Sequence, residues 1–416
     1  MAGIPPPPIP PPPLISAWRM HVEAWWYLLM RTLRLGLDLP KLWRFTQRLG
    51  GPVTKAFGLP PWQQLLTLWW LAVRYQIHPE LYYCYRLYRR PLHEAPLFIT
   101  GTTQKSRMRF LRFSLEADLD PLRFKRRFET ICHDAGVPVA GTVAEFEKGQ
   151  AKWCFGERLP ESDLFCKHAS SEQGVGADSW EYIGNRQWRG TDGVVRDEGA
   201  MIQHLEKISA TEPILLQLKL SSHADVAPVS PGGISSLRVI TVMVPDSREI
   251  RVIAATFKMI KAGEVTDHWK KGGVAAGVDV QTGILGPGRY RQSSKAYLDV
   301  HQHPDTGVAI TGRQLSLWPD VMRVTKKAHA LFPQFPFLGW DVALTPNGAV
   351  LLEGNMNWDA RMIQQPGDNP IGAPRFFQAY HDWYLKLKPL RMANREPAFF
   401  HGWNSSLKAI RESNKP

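Results

Sequence analysis

The stretch Phe337-Leu338-Gly339-Trp340-Asp341-Val342-Ala343-Leu344-Thr345-Pro346-Asn347-Gly348-Ala349-Val350-Leu351-Leu352-Glu353-Gly354-Asn355 reads as two apolar strands around a Pro-Asn-Gly turn, a β-hairpin by composition. With Pro346 to Gly348 as a three-residue loop, Val342 would face Leu352 and Leu344 would face Val350 on one side. Asp341 would then meet Glu353 on the other, and Asn355 joins that side if the strand stays extended. Two carboxylates opposed on one sheet face repel, so the pair asks for a cation between them or a proton on one of them. Oxygen donors without His or Cys point to Mg²⁺, which keeps waters and completes its shell with phosphate oxygens. The plainer reading is a solvent-facing hairpin whose acids never meet because the register differs by one residue.

Outward from the hairpin, the chain supplies further strands and cations. Asp163-Leu-Phe-Cys-Lys167 reads as a short strand ending in lysine, followed by a small-residue loop with Gly174 and Gly176. Such a loop lets backbone N–H groups approach phosphate, with Lys167 as a point charge beside it, although it matches neither common phosphate-loop pattern and also reads as a plain surface loop. Ile214-Leu-Leu-Gln217-Leu218-Lys219 is another apolar strand. Ser235 to Val244 and Arg251 to Lys258 alternate well enough to pair across Pro245-Asp-Ser-Arg248. Arg238 on the first of these could hold a phosphate or carboxylate bidentately, or be a surface arginine on a half-exposed strand. A helix-like stretch from Asp120 to His133, the turn Gly136-Val137-Pro138 and a C-terminal helix around Phe376–Leu387 complete the mixed part.

The N-terminal quarter differs. Of the formal charge of +13 over 416 residues, residues 1–110 carry fourteen Lys/Arg against four Asp/Glu. Pro5 to Pro8 and Pro10 to Pro13 predict an extended polyproline II arm over residues 1–14. Prolines precede the first basic residue, Arg19, so no secretory signal is expected. Two Trp/Leu-rich stretches follow, Ala17–Leu35 and Trp62–Val73, both short of the ~20 apolar residues a spanning helix needs. Seven of the sixteen tryptophans lie here among arginines and lysines. Residues 15–90 therefore suit a membrane surface, or equally a helical domain with Trp packed inward and its cations in water. Nucleic acid is not expected, for want of a zinc-finger, basic-zipper or RNP-like pattern. Four cysteines without CxxC spacing argue against zinc and disulfides, and for a reducing compartment. The expected location is cytoplasmic, with the inner membrane face as a docking surface.

Taken in order, these pieces resemble the ATP-grasp superfamily, in particular its sugar-transfer associated branch, which is related in layout to RimK-type and D-alanine ligases. The resemblance runs from Tyr82-Tyr-Cys-Tyr-Arg-Leu-Tyr88 through Lys125, Gly136-Val-Pro138, Lys167, Leu215-Leu-Gln217, Ser236-Leu-Arg238-Val-Ile-Thr241, Gly272-Gly273 and Gly339-Trp-Asp341 to Glu353-Gly-Asn355. It implies an α+β fold of two lobes clamping ATP, preceded by an α-helical domain. The expected divisions are 1–14, 15–108, a catalytic region 109–375 with a hinge near 214–220, and 376–416. By the same resemblance Lys125 and Lys167 contact ATP beside the Gly174/Gly176 loop, and Gln217, Leu218 and Lys219 form the adenine hinge. Asp341, Glu353 and Asn355 hold two Mg²⁺ ions, Glu353 bridging them. D-alanine ligases place an arginine two residues before the first metal aspartate, where this chain has Gly339, so Arg238 or Arg361 is the expected oxyanion-stabilising cation. His268 and Trp269 fall on the substrate side, or in a glycine-rich cover loop. The implied activity joins a carboxylate, such as a sugar acid or surface-glycan precursor, to an amine through an acyl phosphate. A kinase that stops at phosphoryl transfer and an inactive membrane-associated scaffold are the rival readings; intact Asp341, Glu353, Asn355 and Lys167 count against the scaffold.

Overall fold

Residues 39–75, 77–154, 156–168, 178–264, 269, 272–370 and 374–391 are described by a computed structural model. The chain divides into two compact units, Met1–Tyr82 and Tyr83–Pro416. The proline arm, Ala17–Leu35 and the Gly174/Gly176 loop lie outside the described residues.

The first unit is a helical hairpin. Helix α1 (39–57) buries Leu42, Thr46, Leu49 and Val53, a spacing of three to four that keeps them on one face. After a turn at 58–60, α2 (Pro61–Tyr75) starts on proline, whose missing N–H costs nothing in the first helical turn. It buries Gln64, Leu68 and Leu71. Gln64 closes the hairpin by donating its amide to Gly50 O (3.2 Å), Thr54 Oγ1 (3.0 Å) and Leu59 O (2.8 Å). A short helix α3 (Pro79–Cys84) follows. No described helix is long and apolar enough to cross a membrane.

The second unit holds two antiparallel sheets. Helices α4 (Gly101–Ser114), α5 (Asp120–Arg123) and α6 (Lys125–Asp134) lead in. The single helix expected over Asp120–His133 is broken at Phe124, whose extended backbone makes Lys125 the first residue of α6. The first sheet contains β1 (Thr142–Glu147), β2 (Gln150–Trp153), β3 (Leu164–His168), β4 (Asp178–Gly184), β5 (Gln187–Gly190), β6 (Val195–Asp197) and, after α7 (Glu198–Ser209), β7 (Ile214–Leu218). Its order is β2-β1-β7-β3-β4-β5-β6, and Met201 and Leu205 of α7 pack with Phe146, Trp180, Trp188 and Leu216.

The second sheet runs β11-β10-β9-β8-β12-β13, from β8 (Ser236–Met243), β9 (Ile250–Met259), β10 (Val274–Val278), β11 (Leu285–Tyr290), β12 (Phe337–Thr345) and β13 (Gly348–Asn355). The expected pairing of Ser235–Val244 with Arg251–Lys258 is present as β8 against β9. Every residue of β12 is buried, because it lies between two strands and under helices on both faces. On one face Val239, Leu338, Trp340 and Val342 pack against Phe128 of α6 and Val321, Val324 and Ala328 of α8 (Trp318–Ala330). On the other, Ile240, Val242 and Phe337 meet Trp358, Ile363 of α9 (Ala360–Gly367) and Phe376, Tyr380 and Trp383 of α10 (Pro374–Arg391).

The hairpin register corrects the sequence reading near its turn. The loop is Pro346-Asn347 alone, Thr345 pairs with Gly348, and so Leu344 faces Ala349 and Val342 faces Leu351 rather than Val350 and Leu352. Gly348 makes this tight closure possible with φ at +110°, a backbone that side-chain-bearing residues rarely adopt. A bulge then absorbs Leu352 and restores the pairing, so Asp341 faces Glu353 and Gly339 faces Asn355 as expected. Two irregularities cancel. At this bulge the segment entering β1 joins the second sheet: Leu351 N donates to Pro138 O (2.9 Å) and Ala140 N to Leu351 O (3.1 Å).

Candidate active site

Strand pairing sets one polar row across the second sheet, with Thr256 beside Arg238, Arg238 beside Asp341, and Asp341 beside Glu353. Arg238 grips Asp341 with two donors, Nε to Oδ1 at 2.5 Å and Nη2 to Oδ2 at 3.0 Å, and donates Nη1 to Trp358 O at 3.3 Å. Lys258 Nζ adds a second cation 3.2 Å from Asp341 Oδ2. Burial alone would raise the Asp341 pKa, but the Arg238 and Lys258 charges outweigh it and hold the carboxyl below its ordinary value. For Arg238 burial works against the charge, and Asp341 more than compensates. Two cations share one carboxylate, so the trio carries a net positive charge in a place of low polarisability.

Glu353 and Asn355 are half-buried and in contact, Asn355 Nδ2 donating to Glu353 Oε1 at 3.0 Å. Between them Gly354 admits α5 and α6: a Cβ there would stand 2.9 Å from Leu122 Cδ2 and 3.0 Å from the Trp340 ring. This close approach seats α5 and α6 against β13 on the Trp340 face. Lys167 near the end of β3 feels both Lys125 and Glu353. Burial, then the Lys125 charge, push its ammonium down to about 8, with Glu353 and Glu129 offsetting only part of the effect. Thus the structure brings Lys125 and Glu353 within electrostatic range of Lys167, and Arg238, Asp341, Glu353 and Asn355 onto one face of the six-stranded sheet.

Mg²⁺ can be tested against this donor set. Glu353 and Asn355 offer adjacent hard oxygens and fit a divalent cation. Asp341 differs, since each of its oxygens already contacts a cation. Among the described residues no three His, Cys, Asp or Glu side chains cluster as a metal site. The fit therefore rests on one carboxylate and one amide, with Asp341 acting on Arg238 and Lys258.

Gln217 is buried, and its amide donates to Glu129 Oε1 (2.8 Å) and Thr142 Oγ1 (3.3 Å). At the strand end, Leu218 is 41% exposed, leaving an apolar side chain at the expected adenine edge. Lys219 turns back to β3, N to Asp163 O at 2.9 Å and Nζ to Asp163 at 3.7 Å. Arg361 points its Nε to Gln365 Oε1 (2.8 Å) and its Nη2 to Arg291 O (2.7 Å), whereas Arg238 is the arginine on Asp341. His268 lies outside the described residues; Trp269 is buried with its indole N–H on Arg289 O (2.8 Å).

Sequence reasoning passed over Lys258 and Glu129. For Lys258 alternation counted from the Pro245–Arg248 turn misleads: a bulge between Ile240 and Thr241 shifts the register by one and so brings Lys258 onto the Arg238 face, opposite Ser236. For Glu129 no local signal existed, because its partners come from β1 and β7.

Residues 116–372, more than half of the chain, match the sequence profile of the family described as sugar-transfer associated ATP-grasp. The chain belongs to that family. The expected α+β architecture, with two antiparallel sheets behind an N-terminal helical region, is the ATP-grasp fold. Among curated proteins none matches the chain. Similar solved structures include an L-amino acid ligase from Bacillus licheniformis, at 10% identity and TM-score 0.33 over 61% of this chain and 49% of that one. An N5-carboxyaminoimidazole synthase from Aspergillus clavatus is similar at 12% identity and TM-score 0.32, over 61% of this chain and 53% of the other. The D-alanine-D-alanine ligase from Coxiella burnetii gives 10% identity and TM-score 0.33, over 66% and 61%. The chain spans about half the length of the first of these proteins.

Proposed function

We propose that this ATP-grasp protein is a Mg·ATP-dependent carboxylate–amine ligase. One observation carries the reading: buried Lys167 feels both the Lys125 charge and Glu353, and Glu353 is paired with Asp341 of the Arg238–Lys258–Asp341 trio.

In this reading the triphosphate settles where the lysines repel each other, and its arrival relieves that repulsion. Leu218 offers the adenine an apolar edge, and the Glu129 contact holds Gln217 in place behind it. When bound, Mg²⁺ held by Glu353 and Asn355 withdraws charge from the phosphate oxygens. Arg238 is kept in orientation by its two bonds to Asp341 and one to Trp358 O, so it presents fixed positive charge without reorganising during reaction. The substrate carboxylate attacks the γ-phosphorus, ADP leaves, and an acyl phosphate forms. An amine then opens that acyl phosphate, releasing phosphate and leaving an amide. No protein nucleophile is required, since positioning and charge stabilisation suffice. The family's association with sugar transfer points to a sugar acid or surface-glycan precursor as the carboxylate.

The test measures ADP release with panels of carboxylates, with and without amines, for the wild type and Glu353→Gln. Amine-dependent ADP release that the variant lacks supports ligation. ADP release with a phosphorylated acceptor and no need of amine makes the protein a kinase. Equal release from both proteins removes this site from the chemistry.

A further inference from the structure

Helix α2 is apolar on two opposite sides. One side, Gln64, Leu68 and Leu71, is buried against α1. The opposite side carries Trp62, Leu66 and Trp70 at four-residue spacing, 58%, 58% and 37% exposed. A helix wet on one side normally shows water its polar residues there, and a stripe of two indoles and a leucine is the reverse.

We propose that this stripe docks the protein on an anionic lipid surface, with α2 lying in the headgroup layer. The charge of the hairpin selects that occupant. From Leu39 to Tyr75 the Lys and Arg side chains are Lys41, Arg44, Arg48, Lys55 and Arg74, and there is no Asp or Glu. Five cations without a carboxylate repel a second copy of the same face and attract acidic headgroups. Arg74, four residues after Trp70 on the same helix, keeps its guanidinium 5.2 Å over the Tyr75 ring. An arginine so placed at the edge of the stripe reaches headgroup phosphate while the indoles occupy the interface. Nucleic acid fits less well, because the stripe itself carries indole and leucine where phosphate contacts would need cations. At fifteen residues α2 is too short to span, so it lies on the surface rather than through it.

The experiment floats the full-length protein with vesicles of phosphatidylcholine alone, and of phosphatidylcholine with phosphatidylglycerol, at about 0.1 M and about 0.5 M salt. The wild type should float with the anionic vesicles, less at high salt, and brominated phosphatidylglycerol should quench its tryptophan emission. Trp62→Ser/Leu66→Ser/Trp70→Ser should weaken partitioning at least tenfold with helical content and melting temperature unchanged. Lys41→Gln/Arg44→Gln/Arg48→Gln should weaken it and flatten the salt dependence. Absence of flotation and quenching in the wild type overturns the proposal, as does undiminished flotation of the serine variant. A wild-type dimer that the serine variant dissolves, without vesicle binding, reassigns the stripe to a second copy. Duplex binding without flotation reassigns it to nucleic acid.

Discussion

Asp341 of the six-stranded sheet has Arg238 at 2.5 Å and Lys258 at 3.2 Å, whereas Lys167 of the seven-stranded sheet has, besides its burial, a second lysine as its strongest electrostatic neighbour. On the six-stranded sheet, the carboxylate's charge is met by cations that the strand register supplies. On the seven-stranded sheet, the lysine's charge is left raised in energy. Under the proposed function the contrast is a division of labour between the two sheets: one holds a preorganised polar row, and the other a cation whose burial an arriving anion would offset.

The largest effect should come from the edge of the polar row. Glu353→Gln should lower ADP release about a thousandfold, ~4 kcal/mol of transition-state stabilisation, with the melting temperature unchanged. A coupled ADP assay beside a thermal melt checks it. Arg238→Met attacks the balanced sheet directly, leaving Asp341 buried with Lys258 alone. Unfolding in urea should show a loss of about 3 kcal/mol, and an unaltered midpoint would mean that the clamp contributes nothing to the fold.

The unbalanced sheet is read through pH. Lys167 titrates near 8 rather than at the ordinary lysine value, so it is charged below that pH and attracts a triphosphate there. Nucleotide affinity should therefore fall as pH rises through 8, by about tenfold per unit where one proton is taken up on binding. Calorimetry in buffers of different ionisation enthalpy should detect that proton, and Lys167→Met should abolish its uptake. For stability the sign runs the other way. The unfolded chain binds this proton more tightly, so burying Lys167 is most costly below pH 8 and the cost fades as pH rises from about 8 to the ordinary lysine value of 10.5. The smallest effect is expected at Gln217→Leu, which strips Glu129 and Thr142 of a donor and should cost about 1–2 kcal/mol in urea unfolding.

Much of the balanced sheet was legible in the sequence, because strand alternation reports which side chains share a face. Asp341 opposite Glu353 followed from alternation and a turn signal, whereas the same reasoning would put Lys258 on the wrong face, because a bulge between Ile240 and Thr241 shifts the β8–β9 register. Its failure was local. Nothing in Leu351-Leu352 marks a bulge, since both residues are apolar and either can be the extra one. The other sheet was less legible, since its chemistry depends on contacts between elements. Glu129 meets Gln217 across 88 positions of sequence, and only the docking of α6 makes them neighbours. The surroundings of Arg361, expected with Arg238 as a candidate oxyanion-stabilising cation, were illegible for a similar reason: the setting of α9, which turns the guanidinium to Gln365, comes from packing under Trp358 and against α10.

The shortened turn and the inserted leucine have a consequence for how this protein can change over generations. Each alone shifts the parity of β13 by one, and either one removed by itself would swing Glu353 to the opposite side of the ribbon. A one-residue insertion at Asn347 should be tolerated only in company with deletion of Leu352, and the reverse. The locus is thus expected to vary in paired steps, where an ordinary surface hairpin drifts in single ones.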